Sequence, residues 1–228
     1  MNKFLPALVL IISNSIAHAQ QQFSLSGGSA NYDAVITVEN CTDGTCEGKG
    51  TIVLTDKQTG KQFQTLTSED LYFFLNKDQQ PSVNIIQLYN EQSPLIFQDF
   101  NFDGTEDLAV RNGNNSSYGG PSYDVYVYNK TRKQLVISEE LTALAYENLG
   151  MFYADPKTIR ITTFSKSGCC WHLTSQYEVV PNKGLVLVSE LEEDAQGGEK
   201  VIVTTRKWVK KKWVSKSKSY PIKTYYKE

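Results

Sequence analysis

The chain has 228 residues, of which 40% are hydrophobic, enough for one sizeable core. Its formal net charge of −2 is unevenly distributed, because residues 200–228 carry about +9 and residues 20–199 carry about −12. The sequence contains neither a P-loop nor a G-x-G-x-x-G motif, which excludes the nucleotide-binding classes that those motifs define.

The first 19 residues have the layout of a secretory signal peptide. Lys3 precedes an apolar run over residues 4–12, and Ala17-His18-Ala19 provides small residues for cleavage before Gln20. The run is too short to span a bilayer, which takes about 20 residues. No cysteine follows the cleavage site, so we expect no lipid anchor. A buried N-terminal helix is the alternative.

Hydrophobic and polar residues alternate with a period of two through most of the chain, a pattern typical of β-strands. A short helix is predicted over residues 139–146, and residues 71–75 fit either a strand or a short helix capped by TSED. A C-terminal hairpin is predicted, preceded by strands over residues 32–38, 50–55, 61–66, 83–89, 94–98, 124–129, 134–138, 159–165, 172–180 and 185–191.

This succession of short strands with turns about every 8–12 residues predicts a single all-β domain over residues 20–228. A faint unit of about 40–45 residues from Phe97 onward is in the range of propeller blades, so we expect a β-propeller-like arrangement of antiparallel hairpins. Sandwich and barrel arrangements stay open. We interpret the basic C-terminal segment as a solvated hairpin face, with a nucleic-acid site as the alternative.

Four cysteines are present, and in an exported chain an even number favours disulfides over metal ligation. Cys41 and Cys46 enclose a turn sequence, so a local bridge is easy. Cys169 and Cys170 are adjacent, and pairing them needs a strained ring. Cross-pairing between the two regions stays open. The SGCCWH segment (167–172) is interpreted as a rigid corner, with a redox site as the alternative.

The segment DFNFDGTEDLAV (99–110) carries the most specific chemical signal. Oxygen-bearing side chains recur at alternate positions, as Ca²⁺ coordination by six to eight oxygens requires. Position twelve is Val110, so the loop is not an EF-hand. Glu106 is expected to face solvent. The expected ligands are the main-chain carbonyl of Thr105 and the side chains of Asp99, Asn101, Asp103 and Asp107. A metal-free turn is the alternative.

The glycine-rich segment NGNNSSYGGPSY (112–123) has little capacity to pack, so it should lie on the surface. Tyr118 and Tyr123 are candidate binding anchors. The alternative is that one or both pack beneath the loop. We expect the calcium loop to fix the geometry of this neighbouring segment.

We predict that the protein is not an enzyme. His172 is the only histidine after residue 19, and no G-x-S-x-G accompanies it. The consecutive acidic pairs Glu139–Glu140 and Glu192–Glu193 do not have the separation that a glycosidase needs. A hydrolase that uses His172 is the alternative.

Three segments together resemble a known family: DFNFDGTEDLAV, NGNNSSYGGPSYDVYVYN and SKSGCCWH. They are similar to exported calcium-binding, β-propeller-like proteins related to the periplasmic immunity protein of a bacterial-killing type IV secretion system. The similarity is good over residues 94–190 and loose elsewhere.

The resemblance implies a monomeric periplasmic protein that binds and inhibits a lysozyme-like peptidoglycan hydrolase, with Ca²⁺ supporting the fold. The acidic body would suit a basic partner of that kind. No nucleic acid is expected as a partner. The alternative is a calcium-stabilised envelope binding module for another protein or a glycan. The partner-binding surface is expected at Tyr118, Gly119, Gly120, Ser122 and Tyr123.

Overall fold

The computed structural model describes residues 20–181 and 183–226, so the predicted signal peptide lies outside the described residues. The described chain forms three antiparallel sheets with two short α-helices. The all-β prediction is therefore confirmed. No helix in these two ranges is long and apolar enough to cross a membrane.

The first sheet is a meander of four strands in chain order. Alternate residues of its second strand are buried, as the period-two pattern predicts. The Cys41–Cys46 disulfide links the second strand to the third. The strands are β1 (Gln21–Leu25), β2 (Tyr32–Thr42), β3 (Thr45–Asp56) and β4 (Gln62–Phe74). Residues 71–75, left open between helix and strand, lie mostly in β4.

The middle sheet contributes to two hydrophobic cores. Leu108 and Val110 pack against the first sheet, whereas Ala109 packs on the opposite side, against the helix that follows the sheet and part of the third sheet. That helix begins after Ser138, whose hydroxyl accepts a hydrogen bond from Leu141 N. The elements are β5 (Leu95–Gln98), β6 (Asp107–Arg111), β7 (Tyr123–Asn129), β8 (Gln134–Ile137) and α1 (Glu139–Glu147).

The third sheet has six strands in the order β14-β13-β12-β11-β10-β9. Cys169 and Cys170 are bonded to each other in the turn between β10 and β11. The elements are β9 (Tyr153–Asp155), β10 (Arg160–Ser167), β11 (Trp171–Val180), β12 (Gly184–Asp194), β13 (Lys200–Val209), β14 (Lys212–Pro221) and α2 (Ile222–Tyr225).

Residues 83–89 do not form the predicted strand. Asn84 adopts a left-handed backbone with φ of 64°. Its side-chain amide donates to Gly28 O at 2.6 Å and accepts from Phe97 N at 2.7 Å. These bonds take the place of a regular ladder of backbone hydrogen bonds.

The two local disulfides fit an oxidising compartment.

Candidate functional site

The predicted calcium loop, between β5 and β6, is folded around its own side chains. The Asp99 carboxylate accepts hydrogen bonds from Asp103 N at 3.1 Å and Gly104 N at 2.8 Å. Asn101 Oδ1 also accepts from Asp103 N, at 3.0 Å. Gly104 has φ of 83°, a conformation in which glycine avoids a Cβ clash.

Asp107 anchors the end of this loop. Its side chain is buried and accepts hydrogen bonds at 2.9 Å from Phe100 N and from Tyr128 N. The pKa of Asp107 is raised to about 7, mainly by burial; the charges of Asp99 and Asp103 contribute to this shift, and the two N–H donors oppose it. The three carboxylates therefore interact electrostatically.

The loop chemistry fits a hard cation. The available ligand atoms are oxygens, and a divalent cation would neutralise the negative charge of Asp99 and Asp103, which adds to the effect of burial on the pKa of Asp107. Lys130 Nζ lies 3.7 Å from Asp103 Oδ1 at an exposed position. As their side chains stand, however, no three His, Cys, Asp or Glu residues within 20–181 and 183–226 form a group that could hold a metal ion. Calcium binding by Asp99, Asn101, Asp103, Thr105 and Asp107 thus stays a prediction.

Glu106 does not face solvent freely, contrary to expectation. Its carboxylate accepts hydrogen bonds from the Ser29 hydroxyl, from Ala30 N at 3.3 Å and from Asn31 Nδ2 at 3.2 Å. Because residues 29–31 connect β1 to β2, Glu106 ties the predicted calcium loop to the first sheet.

The glycine-rich loop 112–123 leaves the other end of β6 and is held by two sets of hydrogen bonds. At its base, Asn112 N donates to Ser122 O at 2.9 Å and Ser122 N donates to Gly113 O at 3.1 Å. Near its tip, Ser117 N donates to Asn148 O at 3.1 Å, and the Ser117 hydroxyl donates to Glu147 O at 3.0 Å. The loop is therefore braced against the end of α1.

Tyr118 stands at the tip of this loop and is 64% exposed. Its φ of 59° is unusual for a bulky residue, and such strain persists only where the surroundings hold it. Its hydroxyl accepts a hydrogen bond from Gly168 N at 2.6 Å, and Lys166 Nζ lies 5.0 Å from the ring centroid. The structure thus brings loop 112–123 against the turn that carries the exposed Cys169.

Ser122 and Tyr123 are not available at this surface, which corrects two of the predicted partner contacts. Both residues are buried. The Tyr123 hydroxyl donates to Ser93 O at 3.0 Å, so this tyrosine packs beneath the loop, as the alternative interpretation allowed. Of the predicted set, Tyr118 and Gly119 are exposed and Gly120 is partly exposed.

Arg111 is a buried residue of this region that sequence reasoning missed. Its guanidinium donates to Gln92 Oε1 at 2.7 Å and to Asn114 Oδ1 in the loop. It also lies 5.4 Å from the ring centroid of Tyr123 and 5.7 Å from that of Tyr72. An arginine that ends the apolar run of β6 was the available signal.

The two loops lie at opposite ends of β6, so the expected support of the glycine-rich loop by the calcium loop stays a prediction. The calcium loop ends at Asp107 and the glycine-rich loop begins after Arg111. A strand of this length separates them by about 13 Å. Any influence of a bound ion would pass through β6.

His172, the candidate catalytic residue of the alternative hydrolase, stacks on Phe164 with ring centroids 5.6 Å apart.

Comparison with solved structures finds a similar protein, described as a Xanthomonas type IV secretion system related protein. The TM-score is 0.66, the identity is 24%, and the match covers 90% of this chain and 98% of that chain. The two chains share a fold. No family model matches this chain, and no curated protein matches it.

Proposed function

We propose that this protein is an exported, calcium-binding inhibitor of a lysozyme-like peptidoglycan hydrolase and acts in the periplasm as an immunity protein. The observation that carries the proposal is Tyr118, an exposed aromatic side chain at the tip of a loop braced against α1. A preformed loop loses little conformational entropy on binding. Tyrosine is also enriched among the residues that dominate binding energy.

The charge distribution supports a basic partner of this kind. Residues 20–199 carry about −12, and opposite charge accelerates the encounter of two proteins. An exposed loop tip with an aromatic side chain also suits a concave hydrolase cleft. The fold neighbour is described as related to a type IV secretion system, which supports a link between this chain and such a system.

In this proposal Ca²⁺ has a structural role at the β5–β6 loop. Side-chain oxygens of Asp99, Asn101, Asp103 and Asp107 and the carbonyl of Thr105 would hold the ion. When bound, it would neutralise the negative charge on the loop. We further propose that the three antiparallel sheets are arranged as in a β-propeller. Residues 20–228 would form a single domain, and residues 1–19 would be removed on export.

The test is inhibition of cell-wall lysis, followed by turbidity, with a c-type lysozyme and a bacterial muramidase as the probes. Wild-type protein should slow at least one of them. Tyr118→Ala should weaken inhibition by about 30-fold, the effect of a typical hot-spot residue, with an unchanged melting temperature. Tyr153→Ala is the matched control, because Tyr153 is 58% exposed in another segment.

Two results would overturn the proposal. One is that the wild-type protein does not bind or slow either hydrolase. The other is that Tyr118→Ala inhibits as well as the wild type.

The second candidate is a calcium-stabilised envelope module that binds another protein or a glycan. It is favoured by the exposed rings of Tyr118 and Phe164, which are 64% and 40% exposed, because flat aromatic faces suit sugar rings. Co-sedimentation with insoluble peptidoglycan in the absence of a hydrolase distinguishes it. Retention that Tyr118→Ala abolishes would support this candidate over the inhibitor.

A further inference from the structure

The hairpin β13–β14 forms an outer part of the third sheet, and β14 is the edge strand. Nearly all of β14 is exposed, as is the end of β13. On one face of this hairpin, Trp208 and Trp213 form an edge-to-face pair with ring centroids 5.5 Å apart. That pair fixes the end of the hairpin, where the chain reverses at Lys210 and Lys211.

The opposite face of the hairpin, here called the lysine face, is open. Its alternate residues line a shallow groove of about 460 Å³ and include Lys207, Lys216, Lys218, Val203, Val209 and Val214. The antiparallel register sets Lys207 beside Val214 and Lys218 beside Val203, so cations and apolar groups are interleaved.

No lysine of the lysine face forms an ion pair with a carboxylate among residues 20–181 and 183–226. Residues 200–226 contain no Asp or Glu. On the adjacent strand β12, Glu190 and Glu192 pair with Arg206, at 3.3 Å and 2.8 Å, on the tryptophan side of the sheet. Glu193 lies on the lysine side but is engaged by Tyr225 of α2, whose pKa is raised by burial and by this interaction.

We propose that the lysine face binds the surface of a membrane rich in anionic lipid headgroups. Lysines near such a surface are attracted to the headgroup charge, and the interleaved valines can enter the boundary between headgroups and acyl chains. Val209 and Val214 are 47% and 45% exposed, and a nucleic-acid backbone would leave them unused. The acidic remainder of the chain is repelled by the same surface, so the hairpin is the part that meets it.

This inference does not depend on hydrolase inhibition. It adds a location, because the lysine face would concentrate the protein at the membrane. Loop 112–123 connects β6 to β7 and contributes no residue to the lysine face.

The test is flotation of the exported, purified protein with vesicles of phosphatidylcholine and phosphatidylglycerol in a 7:3 ratio, at about 0.1 M salt. Binding should be strong to these vesicles and weak to pure phosphatidylcholine, and about 0.5 M salt should reduce it, because screening shortens the range of the attraction. The triple variant Lys207→Gln/Lys216→Gln/Lys218→Gln should lose about 100-fold in partitioning, about fivefold per lysine.

The matched control is Lys61→Gln/Lys77→Gln/Lys157→Gln, which makes the same change in net charge at exposed positions of other elements. It should bind as the wild type does. Equal loss in both triple variants would overturn the proposal, since net charge alone would then explain binding. Equal binding to neutral vesicles would also overturn it, and so would binding to a single-stranded oligonucleotide without binding to the anionic vesicles. Circular dichroism with an unchanged melt checks that the hairpin variant is folded.

Discussion

Arg111→Met removes the buried guanidinium beneath loop 112–123 and should destabilise the fold. The arginine is fully buried and makes two hydrogen bonds to uncharged amide oxygens, of Gln92 and Asn114. It pairs with no carboxylate among the described residues. The charge is therefore held by dipoles and by the rings of Tyr72 and Tyr123.

The magnitude follows from these contacts. Methionine fills much of the same volume but leaves the buried acceptor of Gln92 without its donor, at about 1–3 kcal/mol, whereas the oxygen of the exposed Asn114 can bond to water. The two cation–π contacts add about 0.5–2 kcal/mol each. The substitution also removes a buried charge and the buried Nε of Arg111, which has no hydrogen-bond partner, and this gain offsets part of the loss. We expect a net loss of about 3 kcal/mol, which lowers the melting temperature of a chain of this size by about 6–12 °C.

The assay is thermal unfolding of the wild type, Arg111→Met and the control Arg132→Met, whose arginine is exposed in the β7–β8 turn. The control should melt within about 2 °C of the wild type, as exposed substitutions change stability little. An Arg111→Met protein as stable as the wild type would refute the reasoning, because the cost of burying the charge would then equal the value of its contacts.

Three other predictions concern the predicted calcium loop and the first sheet. A chelator should lower the melting temperature by about 5–10 °C relative to Ca²⁺ at 100 times its Kd, since binding to the folded state alone contributes about 2.7 kcal/mol; an unchanged midpoint would exclude structural calcium. Cys41→Ser/Cys46→Ser should cost about 2 kcal/mol in urea unfolding, the loop-entropy value for so short a loop, and a loss below about 0.5 kcal/mol would contradict it. Glu106→Ala should cost about 1–2 kcal/mol by loss of its bonds to residues 29–31, whereas Glu199→Ala, at an exposed position, should cost little.

The local sequence pattern was enough to predict where many of the strands lie along the chain. The hairpin DVYVYN–QLVIS alternates cleanly around a polar turn, and it appears as β7 and β8. The segment 83–89 alternates too, but Asn84 and Asn90 have positive φ, and side-chain hydrogen bonds replace the ladder there. A period-two pattern does not reveal such a bond, because its partner, Gly28, is distant in the sequence.

The candidate site was predictable only in part, for a similar reason. Tyr118 could be chosen from its glycine-rich surroundings. Its contact with Gly168 depends on how β10 and β11 pair and on where α1 braces the loop, and neither is encoded near residue 118. Tyr123 is buried because alternate side chains of β7 point inward, and this places its ring beside Arg111.

Both faces of β6 are buried, and this limits the sequence changes that the strand can tolerate. Side chains alternate across a strand, so Leu108 and Val110 serve one core while Ala109 serves the other. A one-residue slip of register would exchange these assignments and deliver a leucine to a space shaped for alanine. Overpacking on one side and a void on the other would arise together. Insertions and deletions should therefore be excluded from β6 and confined to the connections at its two ends.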